Sequence, residues 1–150
     1  MKKVLEKLDS LISTSPNPGD FYAFKFHMLA GFDDEKANAC LQWILNNQKV
    51  EDFDWFHLIS DSYILPHTPN YQLAHLIADR AIAQAETNTL MAYCILEKAR
   101  IFYQQRMIQS AVDFGSLALI MVKKDATVEI SSDITYVEVN ASWFKEQLNR

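Results

Sequence analysis

Apolar residues recur every three or four positions along most of the chain, a spacing that places them on one face of an α-helix. In the first segment, Leu5, Leu8 and Ile12 share such a face, and charged residues lie between them. Stretches containing proline interrupt the pattern at 13–19 and 66–70. Short connections favour a single all-α domain over 1–150. The pattern predicts about eight helices: one over 1–14, pairs over 20–48, 52–86 and 89–124, and a C-terminal helix over 133–149.

Residues with capping chemistry stand where these helices are predicted to begin and end. An aspartate side chain can accept a hydrogen bond from the free backbone N–H groups of a first helical turn. Gly31 is predicted to end the helix before it, because glycine readily adopts the left-handed backbone found there. The polar segment 124–132 is predicted to be a loop. The predicted N-caps are Asp20, Asp33 or Asp34, and Asp133.

Small and apolar residues repeat at a spacing of 37 residues, as Ala37, Ala74 and Ala111 show. A fixed period of this length is typical of a solenoid, in which each helix pair buries its apolar face against the next pair. Alanine at such positions lets crossing helices approach closely. The alternative is an ordinary amphipathic bundle, in which inward-facing alanines and helix pairs of equal length give the same spacing. Four further sets share the spacing: Ile44, Ala81 and Ala118; Cys40, Ile77 and Phe114; Met28, Leu65 and Phe102; and Phe21, Leu58 and Ile95.

The third helix pair carries a large apolar residue, a small residue and an aromatic in its first helix, and two small residues in its second. These are Ile95, Ala99, Phe102, Ala111 and Ala118. This pattern resembles the tetratricopeptide repeat (TPR) family, whose period is about 34 residues. The resemblance covers residues 18–124 and implies a right-handed α-solenoid of about three TPR-like helix pairs with N- and C-terminal capping helices. The chain departs from the family in its longer period and in Gly115, where the family has an aromatic. The fainter counterparts are Leu58, Ser62, Leu65, Ala74 and Ala81 in the second pair, and Phe21, Lys25, Met28, Ala37 and Ile44 in the first.

The resemblance implies a concave groove lined by the outward positions of the first helix of each pair. Phe26 and Phe56 share that register, and the alternative for both is burial in the core. Aromatic side chains supply contact area in such a groove, and tyrosine and arginine supply orienting hydrogen bonds. The chain is therefore expected to bind a protein or peptide segment without catalysis, as an adaptor, regulator or chaperone like the small TPR chaperones of bacterial secretion systems. The predicted partner-binding residues are Tyr22, Tyr63, His67, Tyr93, Arg100, Tyr103 and Gln104.

The charge balance narrows the choice of partner. The net charge of −5 argues against nucleic acid, whose binding depends on a concentrated positive surface. It also suits a second hypothesis, a small acidic helical immunity or inhibitor protein that neutralises a basic partner. A third hypothesis is a structural domain that associates with itself, for example as a homodimer.

The sequence carries no recognisable catalytic or metal-binding motif. Three glycines, Gly19, Gly31 and Gly115, do not form a phosphate-binding loop, and no HExxH pattern occurs. The four histidines are expected to be exposed or hydrogen-bonded within the fold. Cys40 and Cys94 are expected to be buried free thiols, with a disulfide between them as the alternative. We therefore expect no enzyme activity, no cofactor and no metal.

The opening residues do not read as a signal peptide, because Glu6, Lys7 and Asp9 interrupt any apolar segment. No run of about 18 apolar residues is present that would predict a membrane span. With two isolated cysteines, these features predict a cytoplasmic protein in a reducing compartment.

Overall fold

The structure is a computed structural model that describes residues 1–124 and 132–150. Within these residues the chain forms eight α-helices and no β-strand, which confirms the predicted all-α class. A short 3₁₀ helix at Val50–Asp52 lies between the third and fourth α-helices. The helices are α1 (Lys2–Thr14), α2 (Gly19–Leu29), α3 (Asp34–Asn47), α4 (Phe56–Ile64), α5 (Tyr71–Gln84), α6 (Asn88–Gln104), α7 (Ile108–Lys124) and α8 (Ser132–Leu148).

Most predicted helix ends agree with the structure to within two residues. Two predicted N-caps are wrong in position, because α2 begins at Gly19 and α8 begins at Ser132. Asp20 and Asp133 therefore lie in the first turns of these helices, where a negative charge still interacts favourably with the helix dipole. The predicted loop at 124–132 lies, apart from its two helical end residues, outside the described residues.

The turn between α2 and α3 follows the prediction in detail. Gly31 has a φ of 77°, the left-handed conformation that ends α2. The Asp33 side chain is the N-cap of α3 and accepts a hydrogen bond from the Lys36 backbone N–H at 3.2 Å. The Asp34 carboxylate accepts hydrogen bonds from the backbone N–H groups of Gly31 and Thr68, both at 2.7 Å. These bonds, chiefly the one from Thr68, lower the pKa of Asp34 and join this turn to the connection between α4 and α5.

The chain divides into two compact units, an N-terminal unit of Met1–Ile77 and a C-terminal unit of Ala78–Arg150, and the boundary falls within α5. In the N-terminal unit, α2 packs against both α1 and α3. Burial of apolar side chains supplies most of the stabilisation of such a unit. Its fully buried large residues include Trp55, Phe26, Leu41, Ile44, Ile59 and Ile77.

In the C-terminal unit, α6 and α7 form an antiparallel hairpin, and α8 packs against both helices. The close contact of α7 with α8 depends on small residues. A Cβ atom added to Gly115 would lie 3.4 Å from the Ala141 Cα and 3.1 Å from the Phe144 ring. Gly115, which departs from the TPR pattern, is therefore the residue that α8 covers. The buried core of this unit includes Leu96, Ile101, Val122, Val137 and Phe144.

The recurring alanines are core residues, as the sequence predicted. Those at the 37-residue spacing, together with Ala99, are all 2 % exposed or less. Of the fifteen positions that share the spacing, ten are buried, four are partly buried (Phe21, Met28, Phe102 and Phe114), and Leu65 is exposed at 37 % of its surface. It follows the last residue of α4, so it lies beyond the face that the helix buries.

Both cysteines are buried free thiols, which confirms that prediction. Burial raises the pKa of the Cys40 thiol, since the thiolate would lose its hydration. Among the described residues, no helix combines the length and the apolar character that crossing a bilayer would require.

Candidate functional site

The two helices α6 and α8 run side by side in parallel in the C-terminal unit. The Tyr93 hydroxyl donates a hydrogen bond to the Asp133 carboxylate at 2.6 Å. At the C-terminal end of α6, the Tyr103 ring lies 4.7 Å from the Trp143 ring, centroid to centroid. Each pair is separated by the same 40 residues in sequence, which two parallel helices of equal rise require. We call the surface they form the α6–α8 face, which consists of Tyr93, Arg100, Tyr103, Tyr136, Asn140 and Trp143.

Arg100 lies in the middle of the α6–α8 face and is held by residues of its own chain. One of its nitrogens donates to the Tyr136 hydroxyl at 2.8 Å and to the Asn140 side-chain oxygen at 2.9 Å. The other terminal nitrogen pairs with the Glu97 carboxylate one turn earlier on α6. Its charge is therefore used to hold α8 in place, and Arg100 is a positioning residue on this face.

Two aromatic side chains of this face remain accessible although α8 covers part of α6. Tyr136 and Trp143 are each 42 % exposed. They stand seven residues apart on α8, which is two helical turns and places them on one side of the helix. The next residue along, Phe144, is buried and anchors α8 to the core. The face thus combines a rigid apolar base with exposed aromatic rings.

Because of the Tyr93 phenol, the packing of α8 against α6 should weaken at alkaline pH. Burial, with a further contribution from the Asp133 hydrogen bond, raises the pKa of Tyr93 to about 12 from an ordinary value of 10.0. The folded state holds this proton more tightly than the unfolded state, so the stabilisation is complete below pH 10 and is lost as the pH rises toward 12. Chemical denaturation at several pH values, compared with Tyr93→Phe, measures this effect. A parallel loss of stability in both proteins over that interval would contradict it.

An open cavity of ≈ 510 Å³ lies at the turn between α6 and α7, next to this face. It is lined by Tyr103, Gln104, Arg106 and Ile108. Arg106 has a φ of 61°, the one positive value at a non-glycine residue within the described ranges 1–124 and 132–150. This conformation costs about 1–2 kcal/mol for a residue with a Cβ atom. The sequence did not point to Arg106, because a left-handed backbone leaves no pattern when the residue is not glycine or asparagine.

The predicted site residues of the N-terminal unit are distributed differently. Tyr22 stacks on Trp43, with the ring centroids 3.9 Å apart. Tyr63 is 7 % exposed and belongs to the core, so it offers little surface to a partner. His67 is exposed, and its ring lies near Gly31. Phe26, which shares the register of the predicted groove, is fully buried, in agreement with the alternative prediction. Of the four predicted residues of α6, Tyr93, Arg100 and Tyr103 lie on the α6–α8 face, and Gln104 lines the cavity beside it.

A second cavity, of ≈ 300 Å³, lies in the N-terminal unit and contains two histidine–aspartate pairs that were not predicted. The His27 ring nitrogens lie 2.7 Å from the Ala23 carbonyl oxygen and 2.7 Å from the Asp61 carboxylate. Both ring nitrogens are therefore engaged in contacts within the chain. The exposed His57 pairs with Asp54 at 2.6 Å. The spacing of three residues signals this second pair, whereas the 34 residues between His27 and Asp61 conceal the first.

The geometry of these cavities does not resemble a metal centre. In the described part of the chain, no group of three or more histidine, cysteine, aspartate or glutamate side chains lies close enough to hold a metal ion. The three acidic residues of the second cavity, Asp20, Asp54 and Asp61, instead make it a negatively charged depression beside the apolar Phe53 and Leu58.

No family model matches the chain, and neither a curated protein nor a solved structure does so.

Proposed function

We propose that this chain is a non-catalytic module that binds a protein or peptide segment on the α6–α8 face. The observation that carries the proposal is the parallel placement of α8 beside α6, which combines aromatic residues of both helices in one surface. Tyr136 and Trp143 are each 42 % exposed on it, although they adjoin a closely packed core. Tryptophan and tyrosine are enriched among the residues that dominate binding at protein interfaces.

The rigidity of this face supports the proposal. Arg100 bonds to Tyr136 and Asn140, and the Trp143 ring contacts the rings of Tyr103 and Phe144. Side chains that are already ordered lose little conformational entropy when a partner binds. The phenol oxygens and the Asn140 amide offer hydrogen bonds to a peptide backbone, while the rings offer apolar area. Such a surface suits an extended or helical segment.

The arrangement of the last three helices also supports a TPR-like architecture as part of this proposal. In a solenoid of helix pairs, the first helix of each pair packs beside the first helix of the preceding pair. Helix α8 takes that position relative to α6 and also covers α7 at Gly115. We therefore propose α8 as the C-terminal capping helix of a right-handed solenoid of about three TPR-like pairs, in which α1 caps the other end.

Replacing Trp143 with alanine is expected to weaken peptide binding by about thirtyfold or more, because truncating an interface tryptophan removes a large aromatic contact. Peptides selected on the wild-type protein from a random phage-displayed library provide the ligands, and fluorescence anisotropy measures their dissociation constants. Arg100→Ala is a poorer test, since it would also release α8. The matched control is Ile120→Ala, which removes a 58 % exposed side chain from α7. If both variants weaken binding equally, or if neither variant weakens it, the peptide does not bind on this face.

A second candidate function, the acidic inhibitor, is favoured by a different observation. The N-terminal unit carries ten acidic and six basic side chains, and three of its carboxylates line the ≈ 300 Å³ cavity. A basic partner bound there would be held by charge, so its affinity should fall steeply as salt is raised from 0.1 M to about 1 M, where screening shortens to about 3 Å. Asp61→Asn should then weaken binding while Trp143→Ala leaves it unchanged. The reverse result favours the peptide-binding module.

A further inference from the structure

The backbone at the end of α6 does not explain why Arg106 is an arginine. The Met107 N–H donates to the Phe102 carbonyl oxygen and the Arg106 N–H donates to the Tyr103 carbonyl oxygen, both at 2.9 Å. These two bonds form a Schellman motif, in which the residue after the C-cap adopts a left-handed conformation. Glycine is favoured there because it has no Cβ atom to clash with its own carbonyl oxygen. An arginine in this position strains the backbone, and a strained residue beside a cavity points to a role for its side chain.

The Arg106 side chain is exposed and makes no ion pair or hydrogen bond with any part of the chain that the structure describes. This distinguishes it from Arg100, six residues earlier, whose nitrogens bond to three side chains. Arg100 therefore stabilises the packing of α6 and α8, whereas Arg106 lies at the edge of the ≈ 510 Å³ cavity.

The groups around this cavity favour a ligand that accepts hydrogen bonds and carries negative charge. A guanidinium presents a planar set of N–H donors that matches the two oxygens of a carboxylate. The Gln104 amide and the Tyr103 hydroxyl add donors, and Ile108 supplies an apolar wall. None of these four residues, which line the cavity within the described part of the chain, is acidic, so an incoming carboxylate meets no like charge among them.

We propose that Arg106, Gln104 and Tyr103 form a carboxylate-binding site that anchors one end of a peptide lying on the α6–α8 face. Tyr103 belongs to both surfaces, because its ring contacts Trp143 at 4.7 Å and also lines the cavity. The carboxylate is an acidic side chain or the C-terminus of the bound peptide. The inference rests on the proposed peptide-binding function and adds to it a charge preference.

Titration with acetate, followed through the side-chain N–H signals of Arg106 and Gln104 by NMR, tests the site without any peptide. Acetamide, which has a similar shape and no charge, is the control ligand. We expect acetate to shift both signals in the wild-type protein, and to leave the Gln104 signal unmoved in Arg106→Gln. Absence of a shift, or an equal shift in the variant, would overturn the carboxylate site, and the Trp143 experiment would still decide whether the face binds peptides.

Peptides selected on the wild-type protein then show which carboxylate is bound. Arg106→Gln is expected to weaken them about tenfold to a hundredfold, the range for bidentate charged hydrogen bonds. If the peptide C-terminus is the bound group, its amidation should cause the same loss of affinity. If an acidic side chain is bound, its replacement with an amide should cause that loss. Lys123→Gln, which removes an exposed charge from α7, should leave binding unchanged.

Arg106→Gly separates the binding role from folding. Because glycine relieves the left-handed strain, this variant should have a thermal midpoint higher by roughly 2–5 °C and should still lose binding. If Arg106→Gly and Arg106→Gln both bind peptides as tightly as the wild type, Arg106 has no part in recognition and the inference is wrong.

Discussion

Phe144→Ala is expected to lower the free energy of unfolding by about 3–5 kcal/mol, which is a large part of the stability of a small protein. The Phe144 side chain is 2 % exposed and fills the space between α7 and α8. Its ring lies within 3.1 Å of the position that a Cβ atom on Gly115 would occupy, so the two helix backbones are already close. The backbones cannot approach further to fill the space, and most of the volume removed would remain as a cavity.

Urea denaturation of Phe144→Ala and Trp143→Ala measures the contrast directly. The two residues are neighbours on α8, and Trp143 is the larger side chain, yet it is 42 % exposed. If burial determines the effect, the tryptophan variant should lose much less stability than the phenylalanine variant. Equal losses would mean that α8 is not docked through Phe144, and the α6–α8 face would then lack its rigid base.

The helices could be predicted closely because their ends depend on local chemistry. Gly31 and Asp33 act within a few residues of their own positions, so the sequence alone shows what they do. The alanines of the 37-residue spacing were predicted as core residues for a similar reason, since their helical spacing and their small side chains both indicate positions that face the core. The position of α8 could not be predicted in this way. It depends on the contact of Gly115 with Ala141 and Phe144, which are far from it in sequence, and in the sequence Gly115 is visible only as a departure from the TPR pattern.

The candidate site was predicted in part. The α6 residues Tyr93, Arg100 and Tyr103 do lie along one surface, but their contacts with α8 could not be predicted from the sequence. Tyr136, Trp143 and Arg106 were absent from the predicted set. Tyr136 and Trp143 could have been found from the sequence, because they are seven residues apart and so lie on one side of α8, away from the side that its apolar pattern buries. Arg106 could not, because its importance comes from a backbone conformation that only the structure reveals.

Trp55→Ala should have an effect of similar size in the N-terminal unit, about 3–5 kcal/mol of unfolding free energy. The Trp55 side chain is fully buried, and its ring packs edge-on against Phe53 at 5.1 Å. Its indole N–H donates to the Val50 carbonyl oxygen at 3.1 Å and so connects the 3₁₀ turn to the start of α4. Truncation therefore removes a large buried surface and a buried hydrogen bond together.

A second substitution at Trp55 separates the contribution of the buried surface from that of the hydrogen bond. Trp55→Phe keeps most of the apolar volume and loses the hydrogen bond, so it should cost about 1–2 kcal/mol. Trp43→Ala is the matched control, because that ring is only partly buried and stacks on Tyr22. Guanidinium denaturation, followed by circular dichroism so that the signal does not depend on tryptophan, gives the three values on one scale. If Trp43→Ala destabilises the protein as much as Trp55→Ala does, the core of this unit is not centred on Trp55, since exposure would then fail to rank the two side chains.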